Sequence, residues 1–320
     1  MAIFAGLLGV IILSVLLAYA AMLDWSKQHT ASVAQLPLYS ANAKAGTYRL
    51  AVGDLEFRLR IAGPANAERQ LLLLHGFPES SVKWQPYLSE FADKGIRVAA
   101  FDQRGYSPGA RPSGTEAYDS ALLVNDIFAV ADAIGFQQFH LVGHDWGAVA
   151  GWLSVLNKPQ RIRSWTAMAI PHPQTFFGGI VNGGEQAKRS EYITFLKRPI
   201  LPELAMQLRG QRAFAHLPEY KRVDYSAILS EPGALTAALN WYRALDIPEM
   251  LDSLSSLPKT KVPTVFIGGR EDGVVASESV EAQVELMAGP FDIHMLNTGH
   301  GIIEEQPDVV MALILENMNR

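Results

Sequence analysis

The sequence has no cysteine, which excludes a disulfide scaffold, a thiolate zinc site, an iron–sulfur cluster and a cysteine nucleophile. It also lacks a charge excess of either sign. Twenty-seven Lys and Arg stand against 32 Asp and Glu, a net charge of −5, so there is no basic footprint for nucleic acid. With 49% hydrophobic residues, general disorder is excluded as well. No internal repeat or low-complexity tract is present. The chain of 320 residues is long enough to bury one large α/β core or two smaller ones.

A further absence marks the N-terminus, where Ala2 to Leu23 carry no charged side chain. As a helix of about 1.5 Å rise per residue, this stretch reaches about 33 Å, enough to cross a bilayer. A cleaved secretory signal is the alternative, with Ala18-Tyr19-Ala20 as its small-residue site. No Lys or Arg precedes the apolar run, which is longer than a usual signal core. Residues 1–23 are therefore expected to anchor the chain in a membrane, and 24–46, polar and alanine-rich, to form a tether.

From there the pattern alternates strands and helices. Tyr48–Val52 and Leu55–Ile61 form a predicted hairpin around Gly53-Asp54, residues suited to φ > 0. Leu71–Leu74, Ile96–Phe101, Phe139–Val142, Thr264–Gly268 and Phe291–Leu296 are short apolar runs. Helical stretches such as Tyr118–Ile134 separate them, which predicts a mostly parallel sheet with helices on both faces. Between 172 and 244 the strand signal disappears, and a helical cap is expected over the strands' carboxyl ends. The core is then expected in two parts, 47–171 and 245–320.

Gly143-His144-Asp145-Trp146-Gly147 stands between an apolar strand and the helical pattern Ala148–Asn157. Small residues two before and two after the central position are what a nucleophile elbow demands, because the turn is too tight for side chains there. The attacking position holds Asp145. A carboxylate suits a saturated carbon bearing a leaving group, where it forms an alkyl ester that water must then open. That second step needs a base and an oxyanion hole. His75-Gly76-Phe77-Pro78 follows another strand, so the backbone N–H groups of Phe77 and Trp146 are the expected oxyanion donors.

Among eight histidines, His300 alone lies on a late loop between glycines, in Asn297-Thr298-Gly299-His300-Gly301, and is the expected base. Asp272, after the strand Thr264–Gly268, is the acid expected to orient it. The other position for such an acid, Ile170-Pro171-His172, holds no carboxylate. His75 is read as a structural hydrogen-bonding residue and His144 as a packing one.

The strings HGFPES, FDQRGYSPGARP, GHDWGA, PHP, NWYRA and GHG follow one another from 75 to 301. Together they resemble the epoxide hydrolases of the α/β-hydrolase superfamily, from about residue 47 to the end. The resemblance implies the α/β-hydrolase fold with an inserted helical cap, and hydrolysis of an epoxide to a vicinal diol. It further implies two cap tyrosines on the epoxide oxygen. Tyr242 matches directly within Asn240-Trp241-Tyr242-Arg243. Tyr192 matches the second through Tyr192-Ile193-Thr194-Phe195-Leu196, although Leu196 replaces an aromatic. The chemistry agrees: ring opening liberates an alkoxide, which a neutral phenol can protonate. Asp102 is expected to bond loop amides.

Trp146, Phe77 and Trp241 are the expected substrate-binding residues, around a small apolar epoxide or related electrophile. No metal or organic cofactor is required. Haloalkane dehalogenase is the alternative, since it shares the Asp–His–acid chemistry. Halide release needs no proton, however, and Phe77 stands where many dehalogenases place an Asn.

Overall fold

The computed structural model describes residues 33–320 together with Gly9 and Ser14. The predicted membrane span or signal at 1–23 lies outside this range apart from those two residues. Among the described residues no helix is long and apolar enough to cross a membrane.

Eight strands form one sheet in the order β1-β2-β4-β3-β5-β6-β7-β8. They are β1 (Gly46–Val52), β2 (Leu55–Ala62), β3 (Gln70–Leu74), β4 (Arg97–Phe101), β5 (Phe139–His144), β6 (Ile162–Met168), β7 (Thr264–Gly269) and β8 (Phe291–Leu296). β2 runs antiparallel to β1 and β4, and every other pairing is parallel. The hairpin turns at Gly53, whose φ of 57° is a conformation that glycine adopts without steric cost.

The apolar runs follow from burial on both faces. Leu72 and Leu74 of β3 join one core with Phe101 and Leu141, while Leu71 and Leu73 join the other with Val98 and Val142. A parallel strand covered twice has no polar side to show. β6 is absent from the strands named from sequence, because Arg163, Ser164 and Thr166 interrupt its pattern.

Helices α1 (Gln85–Asp93), α2 (Ser120–Ala133) and α3 (Trp146–Asn157) cover the first half of the sheet. Between β6 and β7 stand seven more. These are α4 (Pro173–Val181), α5 (Glu185–Arg189), α6 (Glu191–Leu196), α7 (Leu201–Arg209), α8 (Glu219–Ser230), α9 (Ala234–Arg243) and α10 (Ile247–Ser255). α11 (Ser277–Ala282), α12 (Ile302–Glu305) and α13 (Pro307–Met318) complete the chain.

The stretch expected as a tether is partly packed. Leu38 bridges to Arg49 on β1, Val33 and Ala43 are buried, and Arg97 donates to the Ala43 carbonyl at 2.9 Å. Composition hid this, because a short segment can be held by a few backbone bonds and one arginine.

α3 approaches β6 so closely that a Cβ on Gly151 would stand 2.0 Å from the Trp165 ring. Gly151→Ala should therefore lower stability by about 1–3 kcal/mol in urea denaturation, as overpacked cores do. Gly178→Ala, in α4 with no heavy atom near the new methyl, should be neutral or slightly stabilising.

Candidate active site

β5 ends at His144 and α3 begins at Trp146, leaving Asp145 alone in the turn with φ 53° and ψ −122°. This strained backbone lifts the carboxylate out of the strand. Three glycines make room for it. A Cβ on Gly143 would lie 2.3 Å from the Gly147 carbonyl oxygen, and one on Gly147 would lie 2.4 Å from that of Leu74. On Gly76 it would strike Asp145 itself at 2.5 Å.

Asp145 Oδ1 accepts the Phe77 N–H at 2.8 Å. Trp146 opens α3, so its amide has no carbonyl partner within the helix, and the helix N-terminus favours negative charge at this point. Asp145 Oδ2 lies 3.5 Å from His300 Nε2. The other ring nitrogen, Nδ1, donates to Asp272 Oδ2 at 2.8 Å, and Asp272 Oδ1 accepts the Val274 N–H at 2.7 Å. The imidazole thus stands between two carboxylates. Burial pulls its pKa down, but hydrogen bonds to Asp145 and Asp272 and their charges outweigh it, lifting His300 to about 10. Burial likewise pushes Asp145 up, and its bond and charge contact with His300 reverse that, leaving it below the usual carboxylate range.

Tyr242, on α9, packs edge-on against Phe77 and Trp146, with ring centroids 5.1 and 5.0 Å away. Tyr192, on α6, approaches it at 6.4 Å. Burial raises both phenols first. Asp145 adds to it in each case, so both stay protonated at neutral pH.

Comparison with known proteins identifies the fold and the family. A family model described as the alpha/beta hydrolase fold matches residues 70–307. Epoxide hydrolase 4 of Mus musculus is 30% identical over 286 residues, spanning 83% of this chain and 77% of that protein. Epoxide hydrolase A of Mycobacterium tuberculosis is 30% identical over 301 residues, spanning 81% and 93%. The chain belongs to the epoxide hydrolases of the α/β-hydrolase superfamily. Among solved structures, the inhibitor complex of Bacillus megaterium epoxide hydrolase matches with a TM-score of 0.74 at 25% identity, covering 85% of this chain and 100% of that one.

In this epoxide hydrolase fold, Trp241, expected as a substrate contact, is held through its ring edge and faces a cavity. Its indole N–H donates to the Arg104 carbonyl at 2.8 Å, and its ring backs Trp146 at 5.6 Å. One buried donor partner is what a tryptophan needs, and here a loop after β4 supplies it. Trp241 and Trp146 together wall a cavity of about 580 Å³ lined with Leu123, Leu153, Leu245 and Met250. Asp145 and His300 are not part of that lining. Among the described residues no group of three or more His, Asp or Glu side chains is arranged to hold a metal ion.

Asp102 accepts the Ser81 N–H at 2.8 Å and pairs with Arg58. His75 accepts the Gln103 N–H at Nε2, 3.1 Å away. His144 does more than pack, since its Nε2 meets the His300 carbonyl at 2.9 Å.

Glu79, Lys83 and Glu304 were not singled out from sequence. Glu79 Oε2 accepts the Gly76 N–H at 3.2 Å and lies 3.4 Å from His144 Nδ1. Lys83 Nζ, fully buried, donates to Glu79 at 2.6 Å and to Glu304 at 3.0 Å. The available signals were the position of Glu79 inside HGFPES and of Glu304 one helical turn after His300.

Asp272→Asn removes one of the two charges holding the His300 proton. In an NMR titration of the imidazole, His300 should lose its proton at clearly lower pH than in the parent. A titration unchanged by the substitution would contradict the pairing.

Proposed function

We propose that this chain hydrolyses epoxides to vicinal diols through an ester on Asp145. The observation that carries this reading is the imidazole of His300 held between Asp145 and a second carboxylate, with two protonated phenols near enough to feel the Asp145 charge. Asp145 attacks a ring carbon, the C–O bond breaks, and Tyr242 or Tyr192 protonates the departing oxygen.

Alkylation changes the electrostatics of the site. Once Asp145 is an ester its charge is gone, and one of the two carboxylates holding the His300 proton is lost. The imidazolium then gives its proton to the phenolate left by ring opening and becomes a neutral base. His300 next takes a proton from water, and hydroxide adds to the Asp145 carbonyl carbon. The Phe77 and Trp146 amides hold the oxyanion, with about 2.7–4 kcal/mol lost on removal of one such donor. Collapse expels the diol oxygen, which takes the carboxyl proton, and restores the starting charges.

Phe77, Trp146 and Tyr242 pack on one another beside Asp145, and this aromatic surface suits an apolar epoxide. The uncharged segment at 2–23 supports membrane attachment, on its composition and length.

Asp145→Ala should abolish turnover. His300→Gln should accumulate an adduct that adds the substrate's mass to the Asp145 peptide; no adduct with any epoxide would sink the covalent route. Tyr192→Phe combined with Tyr242→Phe should remove diol formation. If a bromoalkane instead releases halide at a rate this double variant leaves intact, dehalogenation is the better description.

The two steps should also divide by pH in single-turnover measurements. Alkylation, which needs Asp145 ionised, should hold into the acid range because that carboxylate lies below its ordinary value. Ester hydrolysis needs neutral His300 and should slow as pH falls, with an inflection below the value of about 10 set by both carboxylates.

A further inference from the structure

The cap carries an apolar corner that the reaction does not use. Phe195 of α6, Ile200 between the helices, and Leu201 and Leu208 of α7 are 40%, 73%, 50% and 72% exposed. Leu201 and Leu208 are seven positions apart and share one face of the helix. Ile200 adopts φ 68° and ψ −47°, in the left-handed region that a β-branched side chain rarely enters. An isoleucine held there and turned toward water is unfavourable on both counts, so another phase is the more natural partner for it.

The charges around this corner say which phase. Lys197, Arg198, Arg209 and Arg212 are all exposed. The one carboxylate between 195 and 212, Glu203, is already paired with Arg243 at 2.8 Å. In a chain of net charge −5 this is a local reversal of sign. Exposed aliphatic and aromatic side chains bracketed by cations are the composition of a segment that lies in the headgroup region of a bilayer, attracted by anionic lipid.

We infer that the α6–α7 corner of the cap docks on an anionic membrane surface. The docking rests on these residues and not on the reaction. It complements the uncharged stretch at 2–23, which is of bilayer-spanning length. Tyr192 precedes Phe195 by one helical turn on α6, so the docked face adjoins the phenol pair. An apolar epoxide dissolved in lipid would then reach the site from the phase that concentrates it, a consequence that holds only if the proposed activity holds.

The absence of native cysteine allows a direct test on the full chain. Leu208→Cys and Asp54→Cys, the latter in the exposed β1–β2 turn, each accept one environment-sensitive fluorophore. With phosphatidylcholine–phosphatidylserine vesicles carrying a doxyl-lipid quencher, the label at 208 should shift to shorter wavelength and lose roughly half its emission, as insertion to about 5–10 Å would give. The label at 54 should do neither. Arg198→Glu with Arg209→Glu should remove the response at 208. The inference is overturned if the chain fails to sediment with vesicles, or sediments with the 208 label unquenched, or shows equal quenching at both positions. It is also overturned if the 208 label is already blue-shifted without lipid in a chain that scatters light as a dimer, which would assign the corner to a second copy.

Discussion

One strained residue organises the molecule. Asp145 sits at positive φ between a buried strand and a buried helix, and such a conformation persists only where its surroundings over-determine it. The surroundings here are backbone: Gly147 against the carbonyls of Leu74 and His75, Gly143 against Gly147, and Gly76 against the Asp145 side chain. No larger residue fits at any of the three. Three adjacent strands of the parallel sheet, β3, β5 and β6, hold that geometry, through the β3–β5 and β5–β6 ladders and the bond from the Asp145 amide to the Met168 carbonyl.

Charge then connects the turn to the cap. Lys221 on α8 reaches Glu304 at 2.6 Å, Glu304 pairs with Lys83, and Lys83 pairs with Glu79, which holds the Gly76 amide. Three residues along α8, Asp224 meets Arg58 and Arg60 at 2.8 and 2.7 Å and accepts from Ser80. Buried pairs of this kind add little net stability, because desolvation offsets their attraction, yet removing a single partner is costly. Their effect is geometric. The helix α8 is registered on the loop after β3 and on the helix that follows the His300 loop.

Much of this was legible in the linear chain where a residue type has a single physical use. A glycine pair at fixed spacing around an acid, after an apolar run, has few other readings. β8 was read to the residue, Phe291–Leu296, and β3 to within one, since buried parallel strands leave uninterrupted apolar runs. β6 escaped because its polar residues satisfy themselves through tertiary contacts; Thr166 Oγ1 accepts from Asn317, 151 positions away. The partner of the Trp241 indole was hidden for the same reason, being a carbonyl on another strand's loop.

The order of motifs along the chain was enough to place an acid in the turn after β5, a late histidine and an intervening carboxylate, because chain order and turn sterics are local properties. Which ring nitrogen faces which carboxylate, and the resulting pull on the His300 proton, required the folded state, since Coulomb interactions depend on distances that no spacing encodes. The ion pairs that register the cap were equally invisible, because their partners lie up to 221 positions apart and any Lys or Glu in isolation reads as surface.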